Sequence, residues 1–115
     1  MTGADNAEVH NSGEVWASML WEAYSQLLND TNRYTFSQAR ERMLDYLVAS
    51  LKFTPAKPTF LEARDALLAV ARIRDADDYH AFWQAFAKRG AGVHAVAPKR
   101  NSITHAGVVE DFSTP

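Results

Sequence analysis

Apolar residues recur along this chain in four separate runs with helical spacing, and the rhythm is then lost. Val15, Trp16, Met19, Leu20, Ala23, Tyr24, Leu27 and Leu28 fall on one wide helical face. The pattern predicts a first helix over residues 13–28, capped by Ser12 and ended by Asn29-Asp30-Thr31-Asn32. Thr35-Phe36-Ser37-Gln38 is a capping box for a second helix, with Phe36, Ala39, Met43, Tyr46, Leu47 and Leu51 predicted to face inward. Pro55 and Pro58 end that run, because two prolines so close leave no room for a helix between them. Thr59-Phe60-Leu61-Glu62 repeats the capping box, and Phe60, Ala63, Leu67, Val70 and Ala71 stripe a third helix. A fourth follows Asp75-Ala76-Asp77-Asp78 and turns Tyr79, Phe82, Trp83 and Phe86 to the core. Gly90 stands where a left-handed residue ends a helix, behind Lys88 and Arg89 in the last turn.

From Ala91 onward Gly, Pro, Ser and Thr are scattered without period, which predicts an extended tail packing over the helices in places. The reading is all-α, a bundle of about four helices, divided into an N-terminal loop at 1–12, a helical domain at 13–90 and an irregular tail at 91–115. Composition agrees with a folded globule: 47% hydrophobic and 23% charged residues in 115 make one domain with a real core. A net charge of -2 with interleaved acids and bases gives no electrostatic footprint for nucleic acid or anionic membrane as a partner. With Cys 0, disulfides, thiolate metal sites and cysteine nucleophiles are excluded. No apolar run approaches the roughly 20 residues of a membrane helix. The polar, acidic start Met1-Thr2-Gly3-Ala4-Asp5 predicts no signal peptide within the chain.

Candidate chemistry concentrates before the first predicted helix. His10 is followed by Asn11, Ser12 and Gly13, and Asp5 lies five residues upstream, where a carboxylate can fix the tautomer of an imidazole. A hydrolytic triad of Asp5, His10 and Ser12 is the weaker reading, since Ser12 is better explained as a cap and no oxyanion site is evident. The histidines at 10, 80, 94 and 105 include no His-Glu-x-x-His pair, so the expectation is no metal site in this chain. Asp75, Asp77 and Asp78 lack the glycine and distal glutamate of a calcium loop and are read as caps. Trp16 and Trp83 fit the core, whereas Trp21 lies off the densest stripe; exposed there, it marks a surface that something else covers.

Three blocks carry a resemblance. Val9-His10-Asn11-Ser12-Gly13-Glu14-Val15-Trp16-Ala17, Pro58-Thr59-Phe60-Leu61-Glu62-Ala63-Arg64-Asp65-Ala66-Leu67 and Phe82-Trp83-Gln84-Ala85-Phe86-Ala87-Lys88-Arg89-Gly90-Ala91-Gly92 resemble the C-terminal helical domain of fungalysin-type (M36) zinc metallopeptidases, of the thermolysin-like superfamily. The resemblance implies that His10 hydrogen-bonds the oxyanion of the tetrahedral intermediate, oriented by Asp5, with Glu8 as the alternative carboxylate. It implies that zinc, its ligands and the catalytic glutamate belong to an upstream domain of a secreted endopeptidase, which with the peptide substrate is the partner. This chain then supplies one wall of the cleft, holds no cofactor itself, is inactive alone, and has a cleft face open to homodimerisation. The rival reading is a non-catalytic helical interaction domain that keeps the fold without the chemistry.

Overall fold

The first helix begins earlier than its apolar stripe. In the computed structural model, which describes residues 7–115, α1 runs Val9–Asn29. Its cap is Glu8, whose carboxylate accepts from the backbone N–H of His10 at 2.9 Å and of Asn11 at 3.2 Å. Ser12, expected as the cap, lies inside the helix and its N–H donates to the carbonyl of Glu8. The correction has a physical reason: a glutamate side chain is long enough to reach the free amides of the first turn, so the helix gains a turn upstream of the apolar face. The expected loop at 1–12 is therefore partly helical, and His10 is a first-turn residue.

The other starts follow the sequence signals. α2 (Phe36–Phe53) and α3 (Phe60–Arg74) each open with a complete capping box, on Thr35–Gln38 and Thr59–Glu62. α4 (Ala76–Lys88) is capped by Asp75, whose carboxylate takes the amides of Asp77 and Asp78. Gly90, with φ 82°, ends it: Ala91 N–H donates to Phe86 O and Gly90 N–H to Ala87 O, the paired bonds of a left-handed helix end.

The helices pack in a ring, α1 against α2 and α4, and α3 against the same two. Leu27, Tyr46, Leu67, Phe82 and Phe86 are fully buried at its centre. Trp16 stacks on Phe86 with ring centroids 6.0 Å apart, and Tyr46 meets Phe82 edge-on at 5.2 Å. Such pairs add about 0.5–1.5 kcal/mol beyond the area they bury. Two α2 residues expected inward, Phe36 and Leu51, are exposed. The buried stripe of α2 is Ala39, Met43, Tyr46 and Ser50. Leu51 lies one residue, about 100° of helix, past that stripe, and Phe36 occupies the first helical position.

The tail folds back over the helix ends without forming a strand of its own. Isolated bridges join Ala91 to Asp111 and Val96 to Val109. Buried Arg64 donates from Nη1 to the carbonyls of Ala91 and Gly92 while its guanidinium lies 4.8 Å from the ring centre of Trp83. Arg100 reaches back to Lys57 O and to the Glu62 carboxylate. That partner, with the Thr59 amide, holds the Glu62 carboxyl down at about 2.

Candidate functional site

His10 is exposed at the amino end of α1, where the helix dipole favours negative charge. Of the two carboxylates the sequence offers as its partner, only Glu8 lies among the described residues. Asp5 lies outside the described residues. Glu8 directs its carboxylate at the amides of His10 and Asn11, so it orders the backbone that carries the imidazole. Rigidity comes from the next turns, where Trp16 is clamped on Phe86.

Concave surface begins two residues further along. Ser12, Gly13 and Trp16 line one wall of a groove of about 520 Å³, facing Leu47 and Leu51 of α2 and Phe60 and Ala63 of α3. On its other side Ser12 borders a smaller pocket of about 170 Å³, closed by Phe60, Arg100 and His105. The tail, expected to pack over the helices in places, thus builds part of the surface near the start of α1.

The other histidines do not join His10. His80 packs edge-on to Tyr79, and His105 edge-on to Phe60. The His94 backbone N–H donates to the Asp111 carboxylate. Among the described residues no three His, Asp or Glu side chains converge on a point where a metal ion would sit.

One polar cluster went unread in the sequence. Asp78, expected as a cap, is fully buried and accepts from Tyr46 at 2.6 Å, Arg33 Nη2 at 2.7 Å and Tyr34 at 2.9 Å, with Arg42 Nη1 at 3.5 Å. Burial would raise the carboxyl of its neighbour Asp75, but the amides of Asp78 and Asp77 and the guanidinium groups of Arg33 and Arg42 bring it below the usual range. A signal existed: stepping back four residues from Phe82 along the buried stripe of α4 lands on Asp78. With its carboxylate shut off from solvent, the cluster is a structural tie between the α1–α2 loop, α2 and α4.

Comparison with known proteins adds family membership to this geometry. The family described as fungalysin metallopeptidase (M36) matches residues 1–95. Extracellular metalloproteinase 5 of Arthroderma benhamiae is 35% identical over 115 aligned residues, covering 90% of this chain and 18% of that protein. Extracellular metalloproteinase mep of Aspergillus fumigatus is 35% identical over 106 residues, 83% of this chain and 17% of its own length. Extracellular metalloproteinase MEP of Neosartorya fischeri is 31% identical over 106 residues, with the same coverage of 83% and 17%. The chain spans less than a fifth of the length of these relatives.

Proposed function

Because the chain belongs to the fungalysin (M36) metallopeptidase family, we propose that it is the C-terminal helical part of a secreted zinc metalloendopeptidase, with His10 as its contribution to peptide-bond hydrolysis. Relatives named extracellular metalloproteinases support both the reaction class and the compartment. The observation that carries the role of His10 is its position: exposed, on the first turn of a 21-residue helix whose core face is fixed by Trp16 on Phe86. An imidazole N–H held there donates to the oxygen that gains negative charge as the scissile carbonyl becomes tetrahedral. A donor already in place stabilises that charge without reorganisation at the moment of reaction. The positive end of the α1 dipole acts in the same direction.

The described residues do not fit a zinc site, having no convergent set of ligands. The metal of the proposed enzyme belongs to its upstream part, and no step through it is derived from this chain. Asp5, by its spacing, is the proposed orienting partner of His10.

In the full-length enzyme, His10→Ala is expected to lower kcat by about 10²–10³, the scale of one lost oxyanion donor. The melting temperature should hardly change, because an exposed imidazole fills no core space. The 115-residue chain alone, having no His-Glu-x-x-His motif, is expected to leave casein intact with or without added zinc. An unchanged kcat in the His10→Ala enzyme overturns the oxyanion role.

A further inference from the structure

Resting on the reading of His10 as the oxyanion donor of a peptidase, we propose that the small pocket between the α2–α3 loop and the tail is a subsite for an acidic side chain of the peptide substrate, with Lys57 and Lys99 reading its charge. The pocket, of about 170 Å³, is lined on one side by Ser12 of α1 and residues 57–60, and on the other by residues 98–102 and His105. Lys57, Lys99 and Arg100 stand around it, and no carboxylate is among the residues that line it.

The walls of this pocket are strained and tied together. Among the described residues, the non-glycine positions with positive φ are Lys57 (50°), Asn101 (64°) and His105 (54°), and all of them line this one pocket. Asn and His enter the left-handed region with some ease, whereas a lysine rarely does. Backbone strain of this kind persists where surrounding contacts over-determine it, and it gathers at ligand clamps. Here Arg100 donates to Lys57 O at 2.6 Å and to the Glu62 carboxylate at 2.7 Å, which ties the tail to the α2–α3 loop, and His105 packs edge-on to Phe60. Glu62 therefore offsets the charge of Arg100. Lys57 and Lys99 form no ion pair among the described residues, which leaves their two charges for a ligand.

Size and position identify the ligand. The volume lies below the roughly 300–1,000 Å³ of a pocket for a drug-sized molecule, and it suits one short anionic side chain. Ser12 follows His10 in the same opening turn of α1, about 200° further round the helix, so the imidazole and the pocket lie on opposite flanks of that helix end. A peptide bound at His10 and passing across the end spans a helix about 10 Å wide with about three extended residues of roughly 3.3 Å each. The acidic residue therefore stands about three positions from the scissile bond. The amino end of α1, positive by its dipole, favours the same charge along that path.

The test uses the full-length enzyme and a series of quenched fluorogenic peptides that differ only in Glu or Gln at each position around the scissile bond. Glu about three residues from that bond is expected to raise kcat/KM about fivefold, through KM, with an advantage that shrinks as salt rises. The double variant Lys57→Glu/Lys99→Glu is expected to reverse the preference, so that a Lys peptide is cleaved faster than the Glu peptide. Lys52→Glu, an exposed charge on α2 outside the pocket, is expected to leave the preference as it is. The substituted lysines are exposed, and circular dichroism of each variant verifies the fold. A Glu advantage that the double variant keeps overturns the proposal, since another part of the cleft then reads the charge. Equal cleavage of the Glu and Gln peptides at every position does so too. Inhibition by inorganic phosphate that depends on Lys57 and Lys99, without a Glu advantage, assigns the pocket to a free anion and likewise overturns the substrate role. Failure of the functional reading shows elsewhere, as an unchanged kcat in the His10→Ala enzyme while the Glu advantage persists.

Discussion

At the scale of single residues, Asp78 carries the largest local consequence. Its carboxylate accepts from two tyrosine hydroxyls and an arginine in a place with no solvent access. Asp78→Ala leaves those donors unsatisfied and the Arg33 and Arg42 charges without their buried partner. Breaking a buried charge pair from one side costs about 3–5 kcal/mol. The low end applies here, because the Arg33 and Arg42 side chains keep 26% and 25% of their surface exposed. Urea unfolding followed by circular dichroism is expected to show that loss, and a change under 1 kcal/mol (an order-of-magnitude threshold) contradicts the tie. The sequence concealed this residue because acids near a helix start are ordinarily caps, and Asp75 alone satisfies that need. The step of four residues back from Phe82 points to Asp78, and the packing of Tyr34 and Tyr46 against α4 makes it the buried acid and leaves Asp75 as the cap.

At the scale of elements, the tail is the part whose attachment hinges on one small residue. A Cβ on Gly92 would collide with Ser113 O and lie 2.5 Å from Asp111 Oδ2 and 2.7 Å from Asp111 O. These are the groups that hold the chain end, through Gly92 N–H to Asp111 O and Val93 N–H to Ser113 O. Gly92→Ala is therefore expected to detach the segment around 108–115 while the four helices persist. Hydrogen exchange should show lost protection at Gly92, Val93 and Asp111 with the α4 amides unchanged, and full protection at all of them contradicts the close approach. The helices were legible because capping boxes and apolar periodicity are local signals. The start of α1 was misplaced by four residues because Glu8 caps it in preference to Ser12, a choice made by side-chain reach. The course of the tail was illegible, because Arg64 and Asp111 fix it through contacts distant in sequence.

At the scale of the whole molecule, stability should fall in alkaline solution. Burial, reinforced by the hydrogen bond to Asp78, pushes the Tyr34 hydroxyl up to about 12, and burial raises Tyr46 as well. Folding favours the neutral phenols, so their contribution is complete below an unfolded value near 10 and is lost as pH rises toward the folded value. The melting temperature is expected to drop between about pH 10 and 12, and Tyr34→Phe is expected to start lower at neutral pH and fall less steeply. Equal slopes in the two proteins contradict the assignment. The sequence by itself determined the all-α class, the order of four helices, the left-handed end at Gly90 and the family blocks around His10. Those rest on short-range periodicity, capping and motif identity, which the chain carries locally. Tertiary structure alone decided that Asp78 is buried, that Glu8 serves the backbone and that the tail walls a pocket beside Ser12. Each depends on which helix lies against which, and that is settled by the competition among all buried surfaces at once.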